Sequence, residues 1–336
     1  MPLSKDMPLS KDKSPYIDPD LEAGLAVMHA LTGGNDLTQD LAAARLAANA
    51  RDEMLLANIE RPANIAQGME TASSADGHDI DMRIMQPTQA GEKKASKKPL
   101  FYWIHGGGYV LGQAKQGDIF TLRAAQLGCY AASVEYRLAP ETAYPGPLED
   151  CYEGLKHLLD NADALGIDKT RIIIGGVSAG GGLCAGLALL IRDRGLCAPL
   201  GQLLIYPMID DTNIEPASET LPDTPIWSRH YNLFGWRSYL GDLFGTKDIP
   251  IYAAPARAEN VSGLPPTYMP VGDLDLFLDE NIAYARKLTR ARVPTHFHIV
   301  PGAFHGFNGF VPDAPVSRAI NGEIFSYVEK LLADAD

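Results

Sequence analysis

The feature that most constrains this chain is a regular alternation of strand-length apolar runs with segments of helical spacing. Strands are predicted at 99–104 (PLFYWI), 130–136, 171–175 (RIIIG), 201–206, 267–271 and 295–300, and helices at 147–160, 179–194, about 279–291 and 316–333. Short continuous apolar runs separated by helices bury both faces of each strand only when the strands lie parallel in one sheet with helices on either side. Upstream, 80–85 alternates apolar and polar residues, as a half-buried antiparallel strand does. Residues 17–58 have helical spacing, with Leu21, Leu25 and Met28 on one stripe and helix starts expected at Asp18 or Asp20 and at Thr38. The alternation lapses between Asp210 and about Gly263. That stretch, rich in aromatic residues (Trp227, Tyr231, Phe234, Trp236, Tyr239), either lines a pocket or covers core. No repeat of solenoid length occurs.

A chain of 336 residues has room for one large α/β domain with an accessory element. The formal charge of −13 repels phosphate backbones and anionic membrane surfaces, so neither nucleic acid nor membrane is an expected partner. The basic run Lys93, Lys94, Lys97 and Lys98 is too small to reverse that and reads as a solvated loop. Cys129, Cys151, Cys184 and Cys197 form no C-x-x-C pair, so idle thiols are expected, without disulfides or a metal site. Residues 1–13 contain no apolar run, which argues against a signal peptide or anchor and for a cytoplasmic location. Residues 1–6 (MPLSKD) recur unchanged at 7–12, as in a disordered or cloning-derived tail.

Chemistry enters at Gly176-Val177-Ser178-Ala179-Gly180, which sits between an apolar strand and a helix. A serine exposed on so sharp a turn needs glycine two positions to either side so that the backbones can pass, and the following helix aims its N–H groups at the serine. The same stretch contains Gly180, Gly182 and Ala185 in the dinucleotide-binding spacing G-x-G-x-x-A. That reading needs an acidic residue about 20 positions on, where Ala198-Pro199-Leu200-Gly201-Gln202 has none. The nucleophile reading of Ser178 is therefore preferred.

His105-Gly106-Gly107-Gly108 follows the strand 99–104 and supplies consecutive glycines whose N–H groups can turn toward an oxyanion. The expected donors are Gly107, Gly108 and Ala179, with Gly106 the alternative, and His105 is read as a structural residue that fixes the loop. A serine nucleophile needs an imidazole base, itself oriented by a carboxylate. His305 lies in a loop directly after the strand 295–300, whereas His296 and His298 alternate within that strand and read as solvent-face or structural residues. The chain order serine, acid, histidine places the acid after a strand between 178 and 305. Asp275 leads on spacing, Asp273 is two residues away, and Asp210 and Asp211 follow another strand end. Asp279 and Glu280 read as first-turn helix acids.

The chain resembles the microbial esterases related to hormone-sensitive lipase from about Ile80 to the C-terminus. The resemblance rests on HGGG (105–108), YRLAPE (136–141), PGPLED (145–150), VSAGGG (177–182), LPP (264–266), D-x-x-x-D-E (275–280) and HGF (305–307). It implies an α/β-hydrolase fold, with a mostly parallel central sheet flanked by helices, and aligns the family's catalytic acid with Asp275. It further implies a helical cap at about 14–60, joined by 210–250, on a catalytic domain at 61–336. Under such a cap a shallow pocket favours short- to medium-chain acyl esters, and the resemblance suggests a homodimer. Three positions depart from the pattern. Val177 stands where an acidic residue usually precedes the nucleophile, Leu276 where proline follows the acid, and Leu278 where arginine is usual. The expected activity is carboxylic ester hydrolysis through an acyl-enzyme, with no metal or organic cofactor. Amide hydrolysis or deacetylation on the same fold is the nearest alternative, and a non-catalytic small-molecule receptor is more distant, because this chain keeps both serine and histidine.

Overall fold

The computed structural model describes residues 16–32, 36–57, 59–88, 97–212 and 226–335, with no side-chain description for 26–32. The duplicated start, Lys93 and Lys94, and residues 213–225 of the expected second cap segment lie outside them. Eight strands form one sheet in the order β1-β2-β4-β3-β5-β6-β7-β8. They are β1 (Ile65–Ser73), β2 (Asp79–Pro87), β3 (Lys98–Ile104), β4 (Tyr130–Val134), β5 (Ile167–Val177), β6 (Gly201–Ile205), β7 (Thr267–Gly272) and β8 (Thr295–Val300). β1 pairs antiparallel with β2, and β2 with β4; all remaining pairs are parallel. This is the predicted α/β-hydrolase architecture with a mostly parallel sheet.

The helices are α1 (Pro19–Thr32), α2 (Leu41–Leu56), α3 (Asp118–Gln126), α4 (Gly146–Asp160), α5 (Ala162–Leu165), α6 (Ala179–Arg194), α7 (Arg229–Leu240), α8 (Leu278–Arg290), α9 (Phe307–Phe310) and α10 (Pro315–Ala333). β3 shows why both faces must be covered: Leu100, Tyr102 and Ile104 enter one core with residues of α4 and α6, and Phe101 and Trp103 enter the other with residues of α3 and α10. Cys129, Cys151 and Cys184 are buried free thiols. No helix among the described residues is long and apolar enough to cross a membrane.

Four expectations are corrected. β1 was not predicted, because its sequence is largely polar and mostly exposed; it forms by pairing with β2 from Ile65↔Pro87 to Ser73↔Asp79. α3 likewise lies where no helix was expected. The predicted helix start at Thr38 is displaced to Leu41, because Asp36 accepts both the N–H and the hydroxyl of Thr38 while Asp40 caps the helix by accepting the Ala43 N–H at 2.9 Å. Lys98 is a strand residue, its ammonium donating to Gln86, so the lysine run is not wholly a loop.

Candidate active site

β5 ends at Val177 and α6 begins at Ala179, so Ser178 is the whole connection, with φ +57° and ψ −122°. A non-glycine residue adopts that conformation only when its surroundings impose it. They do: the Ser178 N–H donates to the Ile205 carbonyl at 2.9 Å, and its carbonyl accepts the N–H groups of Met208 and Gly182, each at 3.0 Å. The flanking glycines permit the turn. A Cβ on Gly176 would stand 2.2 Å from the Gly180 oxygen, and one on Gly180 would stand 2.2 Å from the His105 oxygen and 2.3 Å from that of Ile104.

That second contact shows how closely the glycine loop lies against the serine. A Cβ on Gly106 would meet Val177 O at 2.9 Å and the Ser178 Cβ at 3.3 Å, and Gly107 and Gly108 both have positive φ. The Gly107 and Gly108 N–H groups donate to no protein acceptor among the described residues. The Ala179 N–H, in the first turn of α6, has no intrahelical partner. His105 is fully buried, and burial pushes its imidazole down to about 4, so it is neutral near pH 7. Its Nδ1–H donates to the Gly106 carbonyl at 2.8 Å, its ring stacks on Tyr136 at 4.2 Å, and the Tyr136 hydroxyl donates to the His105 carbonyl. It therefore braces the loop from behind.

Ser178 Oγ lies 2.9 Å from His305 Nε2, and His305 Nδ1 lies 2.8 Å from Asp275 Oδ2. Because the carboxylate only accepts, Nδ1 carries the proton and Nε2 is left to accept the serine hydroxyl. All three side chains are buried, Asp275 completely. Its second oxygen accepts the Phe277 N–H at 2.9 Å, and the imidazole is held edge-on between the rings of Tyr206 and Phe277.

The other carboxylates are engaged elsewhere. Asp273 accepts the Gly302 N–H, Asp210 closes a turn on Thr212, and Asp211 pairs with Arg257. Asp279 and Glu280 lie in the first turn of α8, as read from the sequence. Glu280 is buried and accepts the N–H groups of Ile209 at 2.8 Å and Asp210 at 3.3 Å; burial and the nearby Asp210 and Asp275 carboxylates push its carboxyl well above the ordinary range. His298 meets Glu323 and His296 packs on Tyr327, both away from Ser178.

Above Ser178 lies a cavity of about 570 Å³ lined on one side by α2 (Ala44, Ala47, Ala48, Arg51, Asp52, Leu55) and on another by Trp227 and Tyr231. Val177 is in its wall. Arg45 clasps α2 to the body, donating to the carbonyls of Val110 and Ala139 and to both oxygens of Glu141. Sequence reasoning missed Tyr206, Phe277, Arg51 and Asp52, none of which belongs to a local motif. The Arg137–Asp150 pair joins YRLAPE to PGPLED and was visible only as two separate runs.

An alcohol oxygen bonded to an imidazole that is in turn bonded to a buried carboxylate is built for nucleophilic attack, and with this sheet beneath it the molecule is an enzyme of the serine hydrolase class. A family model described as the alpha/beta hydrolase fold matches residues 101–309, and the chain belongs to that family, as its resemblance to the esterases related to hormone-sensitive lipase implied. It is 33% identical over 240 residues to Esterase LipI of Mycobacterium tuberculosis, covering 71% of this chain and 74% of that one. To an ethyl acetate hydrolase of Pseudomonas putida it is 30% identical, covering 70% and 73%. Among solved structures, a bacterial heroin esterase superposes with TM-score 0.87 at 38% identity, over 94% of this chain and 98% of that one. A hyperthermophilic esterase from Pyrobaculum calidifontis superposes with TM-score 0.83 at 28% identity, over 95% and 99%.

Proposed function

We propose that the chain hydrolyses carboxylic esters of short- to medium-chain acids through an acyl-enzyme on Ser178. The observation that carries this is the continuous relay from Ser178 through His305 to Asp275 at the floor of an apolar cavity. Esterase names among the relatives support the same reaction. Ser178 Oγ attacks the carbonyl carbon while His305 Nε2 takes the hydroxyl proton, and Asp275 stabilises the imidazolium that results. The negative oxygen of the tetrahedral intermediate is received by the N–H groups of Gly107, Gly108 and Ala179, aided by the positive end of α6. His305 then protonates the departing alcohol, and a water activated by the same imidazole releases the acid and restores the serine.

In this reading α1 and α2, within residues 14–60, act as a cap over the domain at 61–336, and the α7 region adds a second wall. The alanine-lined face of α2 leaves room for a modest acyl group and excludes bulk water. The test is Ser178→Ala in folded protein: kcat falls by about four to six orders of magnitude and labelling by a fluorophosphonate is lost. Retention of a tenth of the activity, or labelling at another residue, would overturn the assignment.

A further inference from the structure

In the mostly apolar cavity above Ser178, α2 contributes a charged pair, Arg51 and Asp52, beside Gln116. Asp52 is only 6% exposed, and both its oxygens are engaged: Oδ1 accepts Arg51 Nε at 3.3 Å and Nη2 at 3.0 Å, and Oδ2 accepts the Gln116 amide. Asp52 thus ties α2 to the loop after the glycines. Arg51 does no such fastening, because among the described residues its only hydrogen-bond acceptor is Asp52, its immediate neighbour, reached by Nε and Nη2 and not by Nη1. Its guanidinium lies over the Phe310 ring, 5.0 Å from the centroid. Phe310 in turn packs on Gly306, where an added Cβ would be 2.5 Å from the ring. A cation lining a mostly apolar cavity costs desolvation that a hydrophobic residue would avoid, so a guanidinium in the cavity wall over Phe310 reads as a recognition element.

The position and charge of this group define what it recognises. Arg51, on α2, lies over Phe310, five residues after His305, and the histidine protonates the leaving alcohol, so the alcohol part of the substrate is assigned to this side. Asp52 cancels the local charge and the chain as a whole is strongly acidic, which removes the advantage of a carboxylate. The guanidinium carries only N–H donors, so the group it meets must supply an acceptor. We infer that Arg51 binds a second, neutral acceptor oxygen on the alcohol moiety, so that preferred substrates are esters of alcohols bearing a further acyl or ether group, such as acylated diols.

This inference rests on the ester hydrolysis proposed above, and the experiment separates the two. Initial rates are measured by pH-stat for 2-methoxyethyl acetate against n-butyl acetate, and for ethylene glycol and 1,4-butanediol diacetates against alkyl acetates of equal length. Wild type is expected to show kcat/KM about tenfold higher for the best oxygen-bearing alcohol, and Arg51→Met to reduce that ratio to within twofold while still cleaving n-butyl acetate. Arg51→Met/Asp52→Asn serves if the single variant, with Asp52 unpaired, fails to fold. Ethyl 6-methoxyhexanoate against ethyl octanoate, which moves the oxygen to the acyl arm, should show no such ratio. A wild type indifferent to the alcohol oxygen, a preference on the acyl arm alone, or a preference that survives loss of Arg51 overturns the inference and leaves the esterase reading intact. Failure of folded wild type to cleave any of these esters overturns the esterase reading instead.

Discussion

Replacing Gly180 by alanine probes the contact on which the proposed oxyanion stabilisation depends. A Cβ at this position would stand 2.2 Å from the His105 oxygen and 2.3 Å from the Ile104 oxygen, both backbone atoms at the end of β3. Ordinary carbon-to-oxygen contact is about 3.3 Å, so the start of α6 and the root of the glycine loop must separate by about 1 Å. That displacement moves the Gly107 and Gly108 N–H groups relative to Ser178 Oγ, which rides on the same turn as Gly180. A 1 Å misplacement of groups that act together costs about a hundredfold in rate, and the variant should lose about that factor in kcat with a smaller change in KM. The assay is steady-state hydrolysis of p-nitrophenyl acetate together with the rate of fluorophosphonate labelling, on protein whose circular dichroism matches wild type. Gly322→Ala is the control: it lies in α10 with nothing within 4 Å of an added Cβ, and activity should be unchanged. A Gly180→Ala enzyme within threefold of the wild-type kcat would refute the claim that this loop supplies the oxyanion donors.

Asp275→Asn leaves the geometry in place but, with the amide oxygen kept by the Phe277 N–H, turns an NH2 donor toward His305 Nδ1 and reverses the imidazole tautomer, so kcat should drop by about 10⁴, measured against unchanged thermal unfolding. Glu280→Gln should show a pH signature. Because the folded protein holds the Glu280 proton more tightly than the unfolded chain, wild type loses stability as pH rises from about 4.5 upward, whereas the glutamine variant does not. The difference in Tm, variant minus wild type, should therefore grow between pH 5 and pH 8, and a constant difference would contradict a raised carboxyl. Ile119 and Phe120 line both the cavity over Ser178 and a second one of about 350 Å³ beside α10. Phe120→Ala should join the two spaces, lower stability by about 2 kcal/mol through lost packing and stacking on Trp103, and raise activity on decyl relative to butyl acetate. An unchanged alcohol-length profile would show that the wall between the cavities does not limit chain length.

The alternation of apolar runs and helices made the parallel sheet legible, because strands buried on both faces are largely apolar, as 99–104 of β3 and 172–174 of β5 are. β1 was not legible in the same way. Its residues are mostly solvent-facing, and the only local signal was Asp76-Gly77, a turn dipeptide between it and β2, with Gly77 at φ +81°. The nucleophile turn could be read from Gly176, Ser178 and Gly180 because its chemistry and its backbone strain fall within five residues. The order of the chain narrowed the acid to a few carboxylates, but Asp273 and Asp275 differ by two positions and only the fold gives one of them the Gly302 N–H and the other His305.

What the amino-acid order determined alone was therefore whatever short-range geometry requires: strand, elbow, glycine loop, and a histidine after the last strand. Tertiary structure decided the rest. It selected which buried carboxylate meets the imidazole, raised the Glu280 carboxyl by stripping it of water, and brought Arg51 of an N-terminal helix over a ring that follows His305. Such contacts join residues from 30 to 259 positions apart, and their energies depend on burial and distance, quantities that no local pattern encodes.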